Sequence, residues 1–202
     1  GITENRVIEL YIINTKIDEF PESIGQLSEL ELLSCYGAFS ENLSPTQIPS
    51  SIVGLRKLKS FFLSKQYGKV EIDFTDAFEK LSQLPLLVNL DIRDFSIKEV
   101  PETLSKLSNL QYLNLSQNEL SDIPDSFIKM TKLECLELSI GNGLSGNTIT
   151  NTRQEQINKL LQDVIIFTCT ICKQQKTIIE CNRYEQKNNI ESVICNECDE
   201  LQ

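Results

Sequence analysis

Residues 87–109, LVNLDIRDFSIKEVPETLSKLSN, are followed without a gap by residues 110–132, LQYLNLSQNELSDIPDSFIKMTK. The two stretches are 23 residues each and superpose on one frame, LxxLxLxx-x-xLxxLPxxLxxLxx, with Ile, Val, Phe or Met in some of the Leu places. Residues 7–29, VIELYIINTKIDEFPESIGQLSE, repeat the same length and spacing. An internal period of this size predicts a stacked solenoid. One copy cannot bury its own apolar face, so the copies must pack on one another.

Each part of the frame has a physical reading. The stretch xxLxLxx predicts a short strand whose Leu residues point inward while the residues between them point out of a concave face, because strand side chains alternate. LPxxLxxL returns the chain along the convex side, and its Leu spacing predicts a short helix or a 3₁₀ segment. Proline opens the return at Pro21, Pro49, Pro101 and Pro124, where no N–H donor is needed. Two intervening copies are longer. Residues 30–57 carry an insertion near 39–46, and residues 58–86 carry extra length near 67–74. A sixth, partial copy starts at Leu133 and is expected to dissolve into a Gly/Asn loop.

On these motifs, over residues 7–143, the chain resembles a leucine-rich repeat protein of the short LPxxI/L type. The resemblance implies an α/β solenoid of five to six repeats, with a curved parallel sheet on the concave face and short helical or 3₁₀ segments on the convex face. It also implies an Asn whose side chain bonds backbone inside each turn. Asn118 occupies that slot, whereas Thr15, Ala38, Gln66 and Phe95 stand there in other copies, which predicts a looser turn ladder.

The register names the concave residues. Apolar and aromatic side chains gather on the first three strands at Tyr11, Ile13, Leu32, Tyr36 and Phe62. Later strands present Asp91, Arg93 and Tyr112, with Asn114 and Glu137 in the central row. Clustered exposed aromatics are the usual anchors of protein interfaces, so these residues are the candidate partner surface. The competing reading is that the two insertions, or an N-terminal cap, cover them.

Beyond the repeats, residues 152–164, TRQEQINKLLQDV, predict a helix. Thr152 and Glu155 form a capping box, and Ile157, Leu160, Leu161 and Val164 share a face suited to closing the last repeat. The expected division is 1–150 for the repeats, 151–165 for the capping helix and 166–202 for a terminal module.

That module holds five of the seven cysteines. Cys169/Cys172 and Cys195/Cys198 are two Cys-x-x-Cys pairs with 22 residues between them, a spacing suited to tetrahedral zinc. The intervening KTIIECNRY and ESVI predict a hairpin with a polar turn at 185–189. Knuckle, hairpin and knuckle together resemble a zinc ribbon, in which Zn²⁺ would be structural. Lys173 and Asp199 stand where ribbon knuckles often carry Gly. A RING finger would need eight ligands, and a rubredoxin-like iron site lacks its flanking Gly and aromatic residues. Cys181 is expected to be a small apolar residue of the hairpin. The alternative is a disulfide-bonded tail.

Charge narrows the function classes. The net charge is −10, with 13 Lys/Arg and 21 Asp/Glu in the first 150 residues, a balance of −8. No basic footprint for nucleic acid or an anionic membrane is present. The absence of His removes the usual general base, and no Gly-rich phosphate loop is found. No apolar run approaches a membrane span, and no secretion signal is recognisable. The expectation is a cytoplasmic, non-enzymatic scaffold, favoured as a monomer, that binds a protein partner on its concave face. The alternatives are an adaptor subunit whose zinc module is the working end, and the substrate-recognising part of a larger enzyme.

Overall fold

A computed structural model of the chain describes residues 2–3, 6–13, 20–37, 48–64, 74–138, 146–150, 152, 156–157, 166–168, 175–177, 181–187 and 190–195, with backbone only for 2–3 and from 166 onward. Two short strands, β1 (Ile2–Thr3) and β2 (Arg6–Val7), pair antiparallel at the start. The body is one six-stranded sheet in sequence order. Its strands are β3 (Glu9–Ile13), β4 (Leu32–Tyr36), β5 (Ser60–Ser64), β6 (Asn89–Arg93), β7 (Tyr112–Asn114) and β8 (Cys135–Glu137). Every neighbouring pair is parallel.

The register follows the repeat frame without a slip. Leu10, Leu33, Phe61, Leu90, Leu113 and Leu136 form one row across the sheet. All but Leu10 are fully buried. A parallel sheet of this kind exists only because each return carries the chain back to the same end. Four returns are 3₁₀ turns, at Glu22–Gln26, Ser50–Gly54, Glu102–Lys106 and Asp125–Lys129, each preceded by its proline in extended backbone. Their hydrogen bonds are as regular as the leucines. Ile24 N–H donates to the Pro21 carbonyl, Leu27 to Ile24 and Leu30 to Leu27, and the same ladder recurs at Pro49, Pro101 and Pro124. The third return is α-helical instead. Helix α1 (Thr75–Leu81) buries Ala77, Phe78 and Leu81, and Phe74 packs edge-on against Phe95 at 5.2 Å.

The convex turns approach one another closely. A Cβ on Gly25 would stand 2.3 Å from the Ser51 carbonyl oxygen. Only a residue without a side chain allows that contact.

The turn ladder extends further than the sequence frame implies. Asn118 Oδ1 accepts the Phe95 and Ile97 N–H groups, and its Nδ2 donates to the Ile92, Leu115 and Ser116 carbonyls. Asn147 does the same one repeat later, accepting from Leu120 N–H and donating to the Leu115 and Leu138 carbonyls. The sixth copy therefore does not dissolve at its Gly/Asn loop. LSGNTI at 144–149 answers LSQNEL at 115–120 after an insertion, and Ile149 is buried in the core. Among the described residues, the position before the Asn slot has positive φ: Gly37 (φ 57°), Asp94 (φ 69°), Gln117 (φ 55°) and Gly146 (φ 121°). Thr15, Ala38 and Gln66 lie outside the described residues.

In the predicted capping helix, Thr152, Gln156 and Ile157 are helical. Thr152 is thus inside the helix rather than at its cap. Ile157 is fully buried and belongs to the common core, as a cap over the last repeat requires. Leu160, Leu161 and Val164 lie outside the described residues. Further on, β9 (Ile166–Thr168) pairs antiparallel with β10 (Gln175–Thr177), and β11 (Cys181–Lys187) with β12 (Ile190–Cys195). The expected hairpin is present, with two corrections. Its connection is residues 188–189, because 185–187 continue the strand. Its first expected strand is divided, since residues 175–177 pair with β9 instead. β11 passes beside β8.

Candidate protein-interaction face

Alternation along each strand sends every second side chain out of the concave face, and the parallel register aligns them in rows. One row reads Tyr11, Ser34, Phe62, Asp91, Asn114, Glu137. The row above reads Ile13, Tyr36, Ser64, Arg93, and the row below Glu9, Leu32, Ser60, Asn89, Tyr112, Cys135.

The two ends of this face differ sharply in exposure. Tyr11 and Ile13 are 53% exposed and Tyr36 is 51% exposed, while Leu32 and Phe62 are partly buried. The described structure therefore leaves the first strands open; residues 39–46 and 67–73 lie outside it. At the other end Asp91, Tyr112, Cys135, Asn114 and Glu137 are buried, and Arg93 is intermediate. Asp91 and Tyr112, expected as exposed contact residues, are thus floor rather than surface. Alternation sets which face a side chain leaves from, but not whether neighbours close over it.

The buried end is a polar network crossing three strands. Asn114 Nδ2 donates to the Tyr112 hydroxyl at 3.1 Å and more weakly to Asp91 Oδ2 at 3.4 Å. The Tyr112 hydroxyl donates to Glu137 Oε1 at 3.3 Å. Asn114 Oδ1 accepts the Ser116 N–H at 2.9 Å, and Arg93 approaches Asp91 Oδ2 at 3.3 Å. Asp91 Oδ1 is buried with no hydrogen-bond partner. Burial pushes the Asp91 carboxyl up to about 6, with Arg93 and Asn114 opposing the shift and Asp94 adding to it. Burial, followed by the nearby Glu137 and Asp91 charges, holds the Tyr112 phenol well above its ordinary range.

Little here suits bond-making chemistry. Desolvation pushes the buried Cys35 thiol up to about 12, so it is not a nucleophile near neutrality. Among the described residues no group of three or more Cys, Asp or Glu is placed to hold a metal. The four expected zinc ligands are not tested by this. Cys169, Cys172 and Cys198 lie outside the described residues, and Cys195 is described by its backbone alone, ending β12. In backbone register Cys195 is the partner of Cys181. No described helix is long and apolar enough to cross a membrane.

Residues 85–144 match the leucine rich repeat family model. Those residues carry leucine-rich repeats, and the parallel solenoid that includes them has the fold of solved leucine-rich repeat structures. A leucine-rich repeat protein of Leptospira interrogans is 26% identical, with a TM-score of 0.63 over 81% of this chain and 37% of that one. An internalin (inlF) of Listeria monocytogenes shares the fold at 21% identity, with a TM-score of 0.57 over 75% of this chain and 38% of that one. The chain thus spans under two-fifths of either structure. No curated protein sequence matches it significantly.

Sequence reasoning named Asn114 and Glu137 as concave but gave them no role. Their join through Tyr112 appears only when three strands are side by side. The overlooked signal was the unbroken polar run Asp91, Asn114, Glu137 along the central row, since adjacent polar side chains in one row are within bonding reach.

Proposed function

We propose that this leucine-rich repeat solenoid is a non-enzymatic scaffold that binds a protein partner on the open part of its concave face, from β3 to β6. The observation that carries the reading is the group of half-exposed side chains Tyr11, Ile13 and Tyr36 on adjacent strands. Monomeric proteins seldom leave such residues contiguous without a use, and aromatic anchors dominate binding energy where they exist. The remaining candidates take graded parts. Leu32 and Phe62 flank the anchors, Arg93 stands at the rim, and Asp91 and Tyr112 support from below. The test is Tyr36→Ala combined with Phe62→Asp in the whole chain, against a partner recovered by pull-down. Loss of binding is expected; undiminished binding removes the concave face from the account.

The terminal segment 166–202 is proposed as a separate module in which Cys169, Cys172, Cys195 and Cys198 hold one structural Zn²⁺. Two features support this. The strands β9 and β10 bracket the first Cys pair, and the β11–β12 hairpin delivers its chain end at Cys195. Zinc in such a site would tie together a segment too small to build its own core, and four thiolates would place the protein in a reducing compartment, the cytoplasm. Native mass spectrometry of protein purified under reducing conditions tests it. One zinc, lost in acid, is expected. A mass four hydrogens short of the reduced chain would mean two disulfides and would remove both the metal and the cytoplasmic setting.

A further inference from the structure

Four of the seven cysteines lie among the described residues. Cys35 on β4 and Cys135 on β8 are buried in the repeat core and free. The other two stand opposite each other in backbone register. Cys181, at the start of β11, is the partner of Cys195, at the end of β12.

That pairing is not the one with which the hairpin begins. From the turn outward the partners are Lys187 and Ile190, Gln186 and Glu191, Glu185 and Ser192, Tyr184 and Val193, then Arg183 and Ile194. Continued by one step, the same register would set Asn182 against Cys195. A register shift between Cys181 and Arg183 passes over Asn182 and sets Cys181 there instead. Such a shift is an extra residue in one strand, a device that re-aims or ends the pairing at a chosen position. Here it puts a second thiol residue opposite the first.

Residues directly opposed in an antiparallel ladder have Cα atoms about 4.5 to 5.5 Å apart, inside the roughly 4.4 to 6.8 Å that a disulfide spans. The hairpin has already brought the two positions together, so closing the bond adds little loop-closure cost. Cys195 is also one of the four proposed zinc ligands, and a sulfur held in a disulfide is no longer a thiolate for a metal. Cys181 belongs to neither Cys-x-x-Cys pair.

We propose that Cys181 and Cys195 are a thiol–disulfide site, at which a hydroperoxide joins the two sulfurs and thereby withdraws one zinc ligand. The chemistry balances in two steps. With hydrogen peroxide, the Cys181 thiolate takes one oxygen and becomes a sulfenic acid, and hydroxide leaves. The Cys195 thiolate then attacks that sulfur, the S–S bond forms, and a second hydroxide leaves. Two electrons pass from the sulfurs to the peroxide, and both hydroxides are protonated to water. A thiol reductant reverses the bond by exchange. The release of metal rests on the zinc reading above, whereas the disulfide rests on backbone register alone.

The test exposes the whole reduced chain to hydrogen peroxide. Zinc release is followed with a colorimetric chelator, and the linkage is mapped by mass spectrometry without reduction. Trypsin cuts after Arg183 and Lys187, and a Glu-specific protease cutting after Glu197 separates Cys195 from Cys198. One dominant linked pair is expected, Cys181 with Cys195, formed in step with loss of the zinc. In denaturant the linkages should scatter over several cysteines. Cys181→Ser should bind zinc when reduced and keep it through an exposure that empties the native chain. Linkage of Cys169 to Cys172 and of Cys195 to Cys198, in the native chain and in Cys181→Ser alike, overturns the proposal. So does a native chain that keeps both thiols under peroxide that oxidises the denatured one. Zinc retained with the Cys181–Cys195 bond in place overturns the withdrawal of a ligand. A reduced chain that carries no zinc removes the metal reading, and the mapped linkage then decides the disulfide by itself.

Discussion

The first two strands of the sheet and the last three are built from the same frame, yet they end in opposite states. At β3 and β4 the concave face carries Tyr11, Ile13 and Tyr36, large side chains open to water. At β6 to β8 Asp91, Tyr112, Asn114 and Glu137 are polar, buried and bonded to one another, with Asn118 and Asn147 tying the turns beneath them. At this end β11 passes beside β8. The difference teaches that a repeat frame specifies the inward-facing residues and leaves the outward ones free to diverge. One end has diverged toward an exposed apolar patch, which costs solubility. The other has diverged toward a buried carboxylate, which costs stability. Two unfavourable features on one face, two strands apart, are more economically explained by binding than by folding.

The sharpest challenge to this contrast is Asn118→Ala. It would strand two buried N–H groups and deprive three carbonyls, and a loss of about 3 to 4 kcal/mol in urea unfolding is expected. A loss under about 1 kcal/mol would mean that the distal turns are not held by this side chain. At the open end the corresponding constraint is steric. Gly25→Ala would bring a Cβ to 2.3 Å from the Ser51 carbonyl oxygen, and the expected cost is about 2 kcal/mol from shifting one convex turn against the next. An unchanged midpoint would show that the turns part without penalty.

Asp91→Asn should act in the other direction. The Asp91 carboxyl is held at about 6 against an ordinary 3.8, so the folded state binds the proton more tightly than the unfolded chain. Its favourable contribution is complete below about pH 4 and is lost as pH rises through about 6. At pH 7 the ionised group is a burden, and Asn in its place should raise stability by about 2 kcal/mol. The variant should also flatten the unfolding profile between pH 4 and 6. An Asp91→Asn protein that is less stable at pH 7 would show that the Arg93 pair outweighs burial. The smallest effect is expected at Tyr36→Ala, within about 0.5 kcal/mol, because half of its surface already faces water. A clear destabilisation there would make Tyr36 a structural residue and weaken its place in the proposed interface.

Much of the architecture was legible in residues 87–132 alone. The leucine places predicted the strands, the prolines predicted the 3₁₀ returns, and the concave register drawn from them matches the strand pairing observed from Glu9 to Glu137. The exceptions have local causes. Extra length in the third copy lets its return wind into α1 rather than a 3₁₀ turn. In the sixth copy the insertion hid Asn147 from a frame of constant period. For the candidate site, the aromatic cluster was visible because alternation alone lists it, whereas the fate of Asp91 and Tyr112 was not.

Periodicity is a property of consecutive residues, and it was enough to settle the solenoid, the inward leucines and the side from which each remaining residue leaves. Exposure is a property of neighbours that are 23 or more residues apart in the chain. Whether Tyr112 would face a partner or bond Glu137, and whether Asp91 would be solvated or left with an orphaned oxygen, depended on how closely three strands and their side chains came together. No local pattern carries that information, because burial is the joint result of groups brought together only when the repeats stack.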